Sequence, residues 1–244
     1  MKIALDAQST LGKKTGIGRY AAELLAALPR VAPENEYLPM TWGQDMLMRT
    51  HRRLRWQQLE LPRRARAVHA DLLHVPGFDA PRWRPCPVVL TVHDLIGRLF
   101  PGNLPPAARF YWAWWLPRSV RWADRIIASS ENTRRDLERL LDIPPDKVSV
   151  VPLGVDPAFR PVEDPAVLEL VRGKYGLPPE FLLYVGTLEP RKGLDTLLDG
   201  YAKITGPFPR LHLVIAGQRG QSVAGSSNGG CAGCAGGSCG SCGN

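Results

Sequence analysis

Short apolar, β-branched runs alternate with amphipathic stretches along the first 155 or so residues, and this rhythm restricts the fold more than any other feature. "KIALDA" (2–7) reads as a strand, and "GIGRYAAELLAAL" (16–28) as a helix with Tyr20, Leu24, Leu25 and Leu28 on one face. "EYLPMTW" is a weaker strand, followed by an Arg-rich segment. "DLLHVPG" and "CPVVLTVHD" (86–94) read as two buried strands. "PPAARFYWAWWLPRSVRWA" is helical until Pro117 disturbs it. "DRIIASS" is a strand feeding the helix "SENTRRDLERLLD", with Ser130 placed to cap it through its hydroxyl, and "KVSVVPLGV" is another strand. Strands with few polar interruptions, each followed by a helix, predict a parallel sheet covered on both faces: a doubly wound α/β domain.

The rhythm breaks at "DPAFRPVEDPAV", whose three prolines mark a linker or hinge. It then restarts with a short helix (166–175), the strand "FLLYVGT", the helix "GLDTLLDGYAKI" and the strand "RLHLVIAG". The expected organisation is a first Rossmann-like domain over 1–157, a hinge and short helix over 158–178, and the start of a second α/β domain over 179–220. A low-complexity tail follows over 221–244. Two strands and a helix cannot bury enough surface to make a complete domain.

Net charge is +8, which calls for an acidic partner such as anionic lipid, a phosphorylated small molecule or nucleic acid. Much of it sits in "RTHRRLRWQQLELPRRAR" (49–66), where seven arginines face one glutamate, Glu60. That segment is either a solvated helix face or a patch for anionic headgroups. Nucleic acid is not expected, because no zinc-finger spacing, RNA-recognition signature or helix-turn-helix accompanies the charge. No run of 18 apolar residues is present, and "MKIALDAQS" turns polar too soon for a signal peptide. Outside the tail Cys86 is the only cysteine, which fits a reducing cytoplasm.

In open α/β sheets ligands bind outside the carboxyl ends of the strands, so three strand-end loops carry the candidate chemistry. In "STLGKKTGIGRY", Gly16 and Gly18 open a helix whose free N–H groups suit phosphate, with Arg19 next. In "TVHDLIGRLFPG", His93 and Asp94 end an apolar strand, where the carboxylate could orient the imidazole. In "YVGTLEPRKGLDTLL", Gly186 ends a strand, Arg191 and Lys192 follow, and Gly193 opens a helix. Two cations beside a helix N-terminus form a site for a diphosphate.

"TGIGRYAAELL", "TVHDL", "ADRIIASSENTRRDL", "VVPLGVDPAF" and "LLYVGTLEPRKGLDTLL", in this order, resemble a family 4 glycosyltransferase of the GT-B fold. The resemblance is nearest to the bacterial branch that includes mannosyltransferases for surface polysaccharide. It implies two facing Rossmann-like domains and transfer of a hexosyl group from a nucleotide sugar with retention, GDP-mannose being the first expectation and UDP- or dTDP-sugars next. The acceptor would be a saccharide or a lipid-linked one, and the protein is expected in the cytoplasm, peripheral at the inner face of the membrane in contact with anionic lipid. Carried over by position, it places Gly16, Gly18 and Gly186 at the donor phosphates. It puts His93 at the transferred sugar, Arg191 and Lys192 at the diphosphate, and Arg19, Asp94, Ser130 and Glu131 on the acceptor side. No D-x-D occurs in the chain, so no metal or other cofactor is expected. The family's E-x7-E motif is missing, since Glu189 is the last glutamate. A non-catalytic remnant or acceptor-binding module of the same fold is therefore the alternative.

Two features stand apart from these motifs. "FYWAWWLPRSVRW" (110–122) is either a core-facing aromatic stripe or an interfacial one, because Trp and Tyr favour the bilayer surface. The tail spaces Cys231, Cys234, Cys239 and Cys242 as C-x2-C-x4-C-x2-C, a thiolate pattern suited to metal. Its Gly/Ser/Ala-rich surroundings offer no shell of packed side chains for such a site, and read as a flexible tail. Shifting the frame of Gly, Cys, Ser and Asn codons by one base gives Arg, Leu and Gln codons, so a frameshift near residue 220 is the expected origin of this segment.

Overall fold

The computed structural model describes residues 1–12, 16–43, 50–77, 79–189 and 192–217. It divides into two compact units, Met1–Pro157 and Ala158–Asn244. In the first, six strands form one parallel sheet: β1 (Lys2–Asp6), β2 (Glu36–Met40), β3 (Leu72–Val75), β4 (Val88–Val92), β5 (Arg125–Ala128) and β6 (Val148–Val150). Their order is β2-β1-β3-β4-β5-β6, so the winding reverses between β1 and β3. Pro39 is tolerated because β2 lies at the sheet edge, where one backbone N–H needs no ladder partner.

The core is built on the central strands. Leu73, Val75, Val88, Leu90 and Ile126 are fully buried, together with Leu61, Leu137 and Leu141 from the helices around them. Helix α1 (Gly16–Val31) follows β1, and α7 (Glu131–Leu141) follows β5. The Ser130 hydroxyl accepts the Thr133 N–H at 3.1 Å and so caps α7, as its place before the helix anticipates. Ser130→Ala is expected to cost about 1 kcal/mol of stability in urea unfolding.

Pro117 does not end its helix, contrary to expectation. The chain runs from α5 (Pro106–Phe110) through a π-type segment, Tyr111–Trp115, into α6 (Leu116–Trp122). The Arg-rich stretch repeats the device, with α2 (Thr50–Arg55), a π-type segment Trp56–Glu60, and α3 (Leu61–Ala67) containing Pro62. A proline ring collides with the carbonyl four residues back in a regular helix. Here those carbonyls, of Ala113 and Gln58, lie inside the widened turns, where Leu116 N–H reaches back to Tyr111 O and Leu61 N–H to Trp56 O. One extra residue per turn gives the ring room, so the helix continues.

In the second unit, helix α8 (Pro165–Tyr175) is capped by Asp164, whose carboxylate accepts the Ala166 N–H at 2.9 Å. Strand β7 (Phe181–Val185) pairs in parallel with β8 (His212–Ala216), with α9 (Leu194–Ile204) between them in sequence. None of its described residues is buried: Leu183 is 57% and Val185 73% exposed on a strand apolar enough to be covered on both faces. The tail with its four cysteines lies outside the described residues.

Candidate functional site

The point where an open parallel sheet reverses its winding leaves a crevice at the strand ends, here between β1 and β3. Around it lie Asp6 at the end of β1, Pro76 and Gly77 after β3, His93 after β4, and Ser129 and Ser130 after β5. The His93 ring reaches across to β3, its Nε2 lying 2.8 Å from the Pro76 carbonyl oxygen. A carbonyl only accepts, so Nε2 carries a proton and Nδ1 is the ring nitrogen left to face a ligand. The Tyr20 ring meets the imidazole edge-on at 4.8 Å. The His93 backbone carbonyl accepts from two hydroxyls, Ser129 Oγ at 2.7 Å and Thr133 Oγ1 at 2.9 Å.

A hydrogen-bonded layer lies beside this ring. Thr91 Oγ1 is 2.9 Å from His74 Nε2 and 3.3 Å from the Tyr20 hydroxyl. Burial lowers the His74 pKa to about 4, so its imidazole is neutral at physiological pH. At the end of β1, Asp6 Oδ1 accepts from Trp56 Nε1 at 3.0 Å and from the Gln8 N–H at 3.1 Å. Burial outweighs both hydrogen bonds and raises the Asp6 pKa to about 6.

His93 opens onto a cavity of about 470 Å³. Ile17, Thr91, Arg53 and Asp94 border it with His93, and Tyr111 and Trp112 close one side. Next to Tyr111 sits Asp79, fully buried, accepting a short hydrogen bond from the Tyr111 hydroxyl. Burial pushes the Asp79 carboxyl above the usual range, opposed by that hydroxyl and by the charge of Arg53. The site therefore pairs the His93 imidazole and an Arg cation with a mainly apolar wall.

The structure distributes the residues singled out by sequence as follows. Gly16 and Gly18 start α1, with Gly18 buried, and Ile17 between them borders the cavity. Arg19 is exposed and pairs with Asp156 at 3.2 Å. Asp94 accepts the Ile96 N–H at 3.0 Å, at the start of the short helix α4 (Ile96–Leu99), rather than taking hold of the His93 ring. Glu131 is exposed and pairs with Arg134 at 2.9 Å. In the second unit, Gly186 closes β7, its N–H donating to the Ala216 carbonyl at 3.0 Å. Lys192 is exposed one residue before Gly193, whose φ of +68° turns the chain into α9. Arg191 lies outside the described residues.

Sequence reasoning missed Pro76, Tyr20, Thr91 and His74 as the setting of His93. Each reads as ordinary core or turn by pattern, and only the adjacency of β3 and β4 brings them together. Among the described residues no group of three or more His, Cys, Asp or Glu is placed to hold a metal ion.

Comparison with known proteins agrees with this geometry. The sequence profile of Glycosyltransferase Family 4 matches residues 15–159. A D-inositol 3-phosphate glycosyltransferase of Streptomyces bingchenggensis is 34% identical over 62% of this chain and 34% of its own length. The O-antigen chain mannosyltransferase B of Escherichia coli is 30% identical over 90% of this chain and 65% of its own. The chain thus spans between a third and two thirds of the length of these curated relatives. Among solved structures, Anabaena HepE in complex with UDP and glucose superimposes with a TM-score of 0.56 at 16% identity, over 90% of this chain and 61% of that one. WaaG, a glycosyltransferase involved in lipopolysaccharide biosynthesis, gives 0.53 at 13% identity, over 88% and 70%. At such identities the likeness is one of fold, of GT-B type. The parallel sheet, the strand-end site and the profile match lead to one assignment: the chain belongs to glycosyltransferase family 4.

Proposed function

We propose that this chain carries the acceptor-side domain and the opening of the donor domain of a hexosyltransferase. The enzyme takes a mannosyl group from GDP-mannose, or failing that a sugar from a UDP or dTDP donor, and transfers it with retention and without a metal. The acceptor is a saccharide or a lipid-linked saccharide presented at the inner face of the membrane. The observation that carries the reading is that each unit of this family 4 chain has its own candidate site at a strand end. One has His93 beside an apolar-walled cavity, and the other has Gly186 and Lys192 leading into α9.

In the transfer the sugar–phosphate bond breaks and its electron pair leaves with the nucleoside diphosphate. The acceptor oxygen bonds the anomeric carbon and its proton passes to the departing diphosphate oxygen. Negative charge grows on the departing diphosphate, and Lys192 with the α9 N-terminus is suited to stabilise it. His93, its Nε2 tied to the Pro76 carbonyl, is suited to hydrogen-bond a sugar hydroxyl through Nδ1.

The second reading, a non-catalytic acceptor-binding module, draws on the absence of any buried residue among those described in the second unit. Equilibrium titration with GDP-mannose, GDP and UDP, paired with transfer assays, separates the two. Donor binding weakened at least tenfold by Lys192→Ala, about 1.4 kcal/mol, supports the transferase. No nucleotide binding at millimolar concentration leaves only the module.

A further inference from the structure

The two segments that sequence left undecided, the Arg-rich stretch and the aromatic stripe, meet on one face of the first unit. Their π-type segments and the connection between β3 and β4 border an open groove of about 960 Å³. Its lining includes Leu59, Trp83, Trp114 and Trp122 with the cations Arg82 and Arg118, and among the described residues no carboxylate. Leu59 is 47% exposed, and Trp83 and Trp114 are each 43% exposed. The Arg118 guanidinium lies over the Trp114 ring at 3.8 Å, and Arg66 faces Trp83 at 6.0 Å. Phe110 stacks on Trp114 at 5.3 Å and extends the aromatic surface.

We infer that this groove docks the protein on an anionic lipid bilayer, the indoles entering the headgroup–acyl boundary and the arginines pairing with lipid phosphates. Exposed tryptophans interleaved with cations are costly in water and favoured at that boundary, where ring and charge each find a partner. A protein partner of ordinary polarity would leave Arg82 and Arg118 facing a surface with no reason to be acidic, whereas an anionic leaflet is uniformly so. The exposed charges lie within a protein of net charge +8, so approach to such a surface is favoured before contact.

The helix that presents Trp114 and Trp122 to the groove presents Tyr111 and Trp112 to the His93 cavity. Asp79, accepting from the Tyr111 hydroxyl, holds this shared wall from inside. Docking by this face would place the cavity beside the lipid surface. That consequence rests on the lipid-linked acceptor proposed above, while docking itself does not.

The test is co-sedimentation of the whole chain, without nucleotide, on vesicles of phosphatidylcholine alone and of phosphatidylcholine with phosphatidylglycerol. Binding to the mixed vesicles at low salt is expected, with a blue shift of tryptophan emission. Replacing both groove cations (Arg82→Gln with Arg118→Gln) should weaken partitioning roughly 30-fold, since each cation near the surface contributes on the order of 1 kcal/mol. Trp83→Ser with Trp114→Ser should abolish the blue shift while circular dichroism shows the fold intact. A charge-matched control, Arg30→Gln with Arg135→Gln, should keep most of the binding. Equal loss in control and groove variants would reduce the effect to net charge and overturn the site. A protein that stays in the supernatant with every vesicle would overturn docking, and the groove would then belong to a protein partner. Lys192→Ala, which tests donor binding, should leave sedimentation unchanged, so the two readings fail separately.

Discussion

Asp6→Asn should make the first unit more stable at pH 8, by up to about 3 kcal/mol, and leave it unchanged near pH 4. Asp6 is buried at the end of β1, and its pKa of about 6 stands above the ordinary 3.8 because burial disfavours the charged carboxylate. A raised pKa means that the stability associated with the neutral form is fully present below pH 3.8 and is lost as pH rises through 6. The shift of about two units converts to the figure above at about 1.4 kcal/mol each. Both donors, Trp56 Nε1 and the Gln8 N–H, point at the same oxygen, so an asparagine carbonyl can keep both bonds while carrying no charge. His74 titrates in the opposite sense. Its pKa lies near 4 against an ordinary 6.5, so stability falls as pH drops through that window. The two slopes oppose each other in the wild type between about pH 4 and 6. The variant should therefore show acid lability that the parent conceals, and urea titrations at a series of pH values would reveal it. A variant that tracks the parent at every pH would mean that Asp6 is not held in a desolvated state.

The second large effect is expected at Gly97. A Cβ built there would lie inside the van der Waals envelope of the Trp112 indole, which covers the glycine face to face. An indole in a packed wall cannot swing aside as a lysine tip could, so Gly97→Ala should cost about 1–3 kcal/mol through overpacking. The cavity should change with it, because Trp112 forms part of its wall. Combining Gly97→Ala with Trp112→Leu should recover part of the loss, since the smaller side chain makes room for the new methyl. A double variant no more stable than Gly97→Ala alone would place the strain elsewhere.

How much of this was legible depends on how far apart the cooperating residues stand. The strands were readable as apolar runs, and Ser130 was readable as a cap, because both signals are local and span a few residues. The helical continuation through Pro62 and Pro117 was not. A π-type turn shifts the hydrophobic period by one residue over five, too short a window for periodicity to register. The aromatic stripe reads as core or bilayer interface by pattern, and the shifted turn splits it, Trp112 packing over Gly97 while Trp114 stays exposed in the groove. Asp94 was read as the partner of His93 because the two are adjacent in sequence. Adjacent residues on an extended strand end point in different directions, and the group that holds the imidazole is a carbonyl seventeen residues away.

The two hydroxyls on the His93 carbonyl have a mechanical meaning. Thr133 belongs to the first turn of α7, and its N–H is also held by the Ser130 cap, so the strand end, the cap and the helix start share one knot of hydrogen bonds. A ligand leaning on His93 thus pushes against an eleven-residue helix anchored in the core by Leu137 and Leu141, instead of against a loop. The strand end that carries the imidazole is therefore held stiffly, and a ligand that fits it poorly gains little from waiting for the site to give.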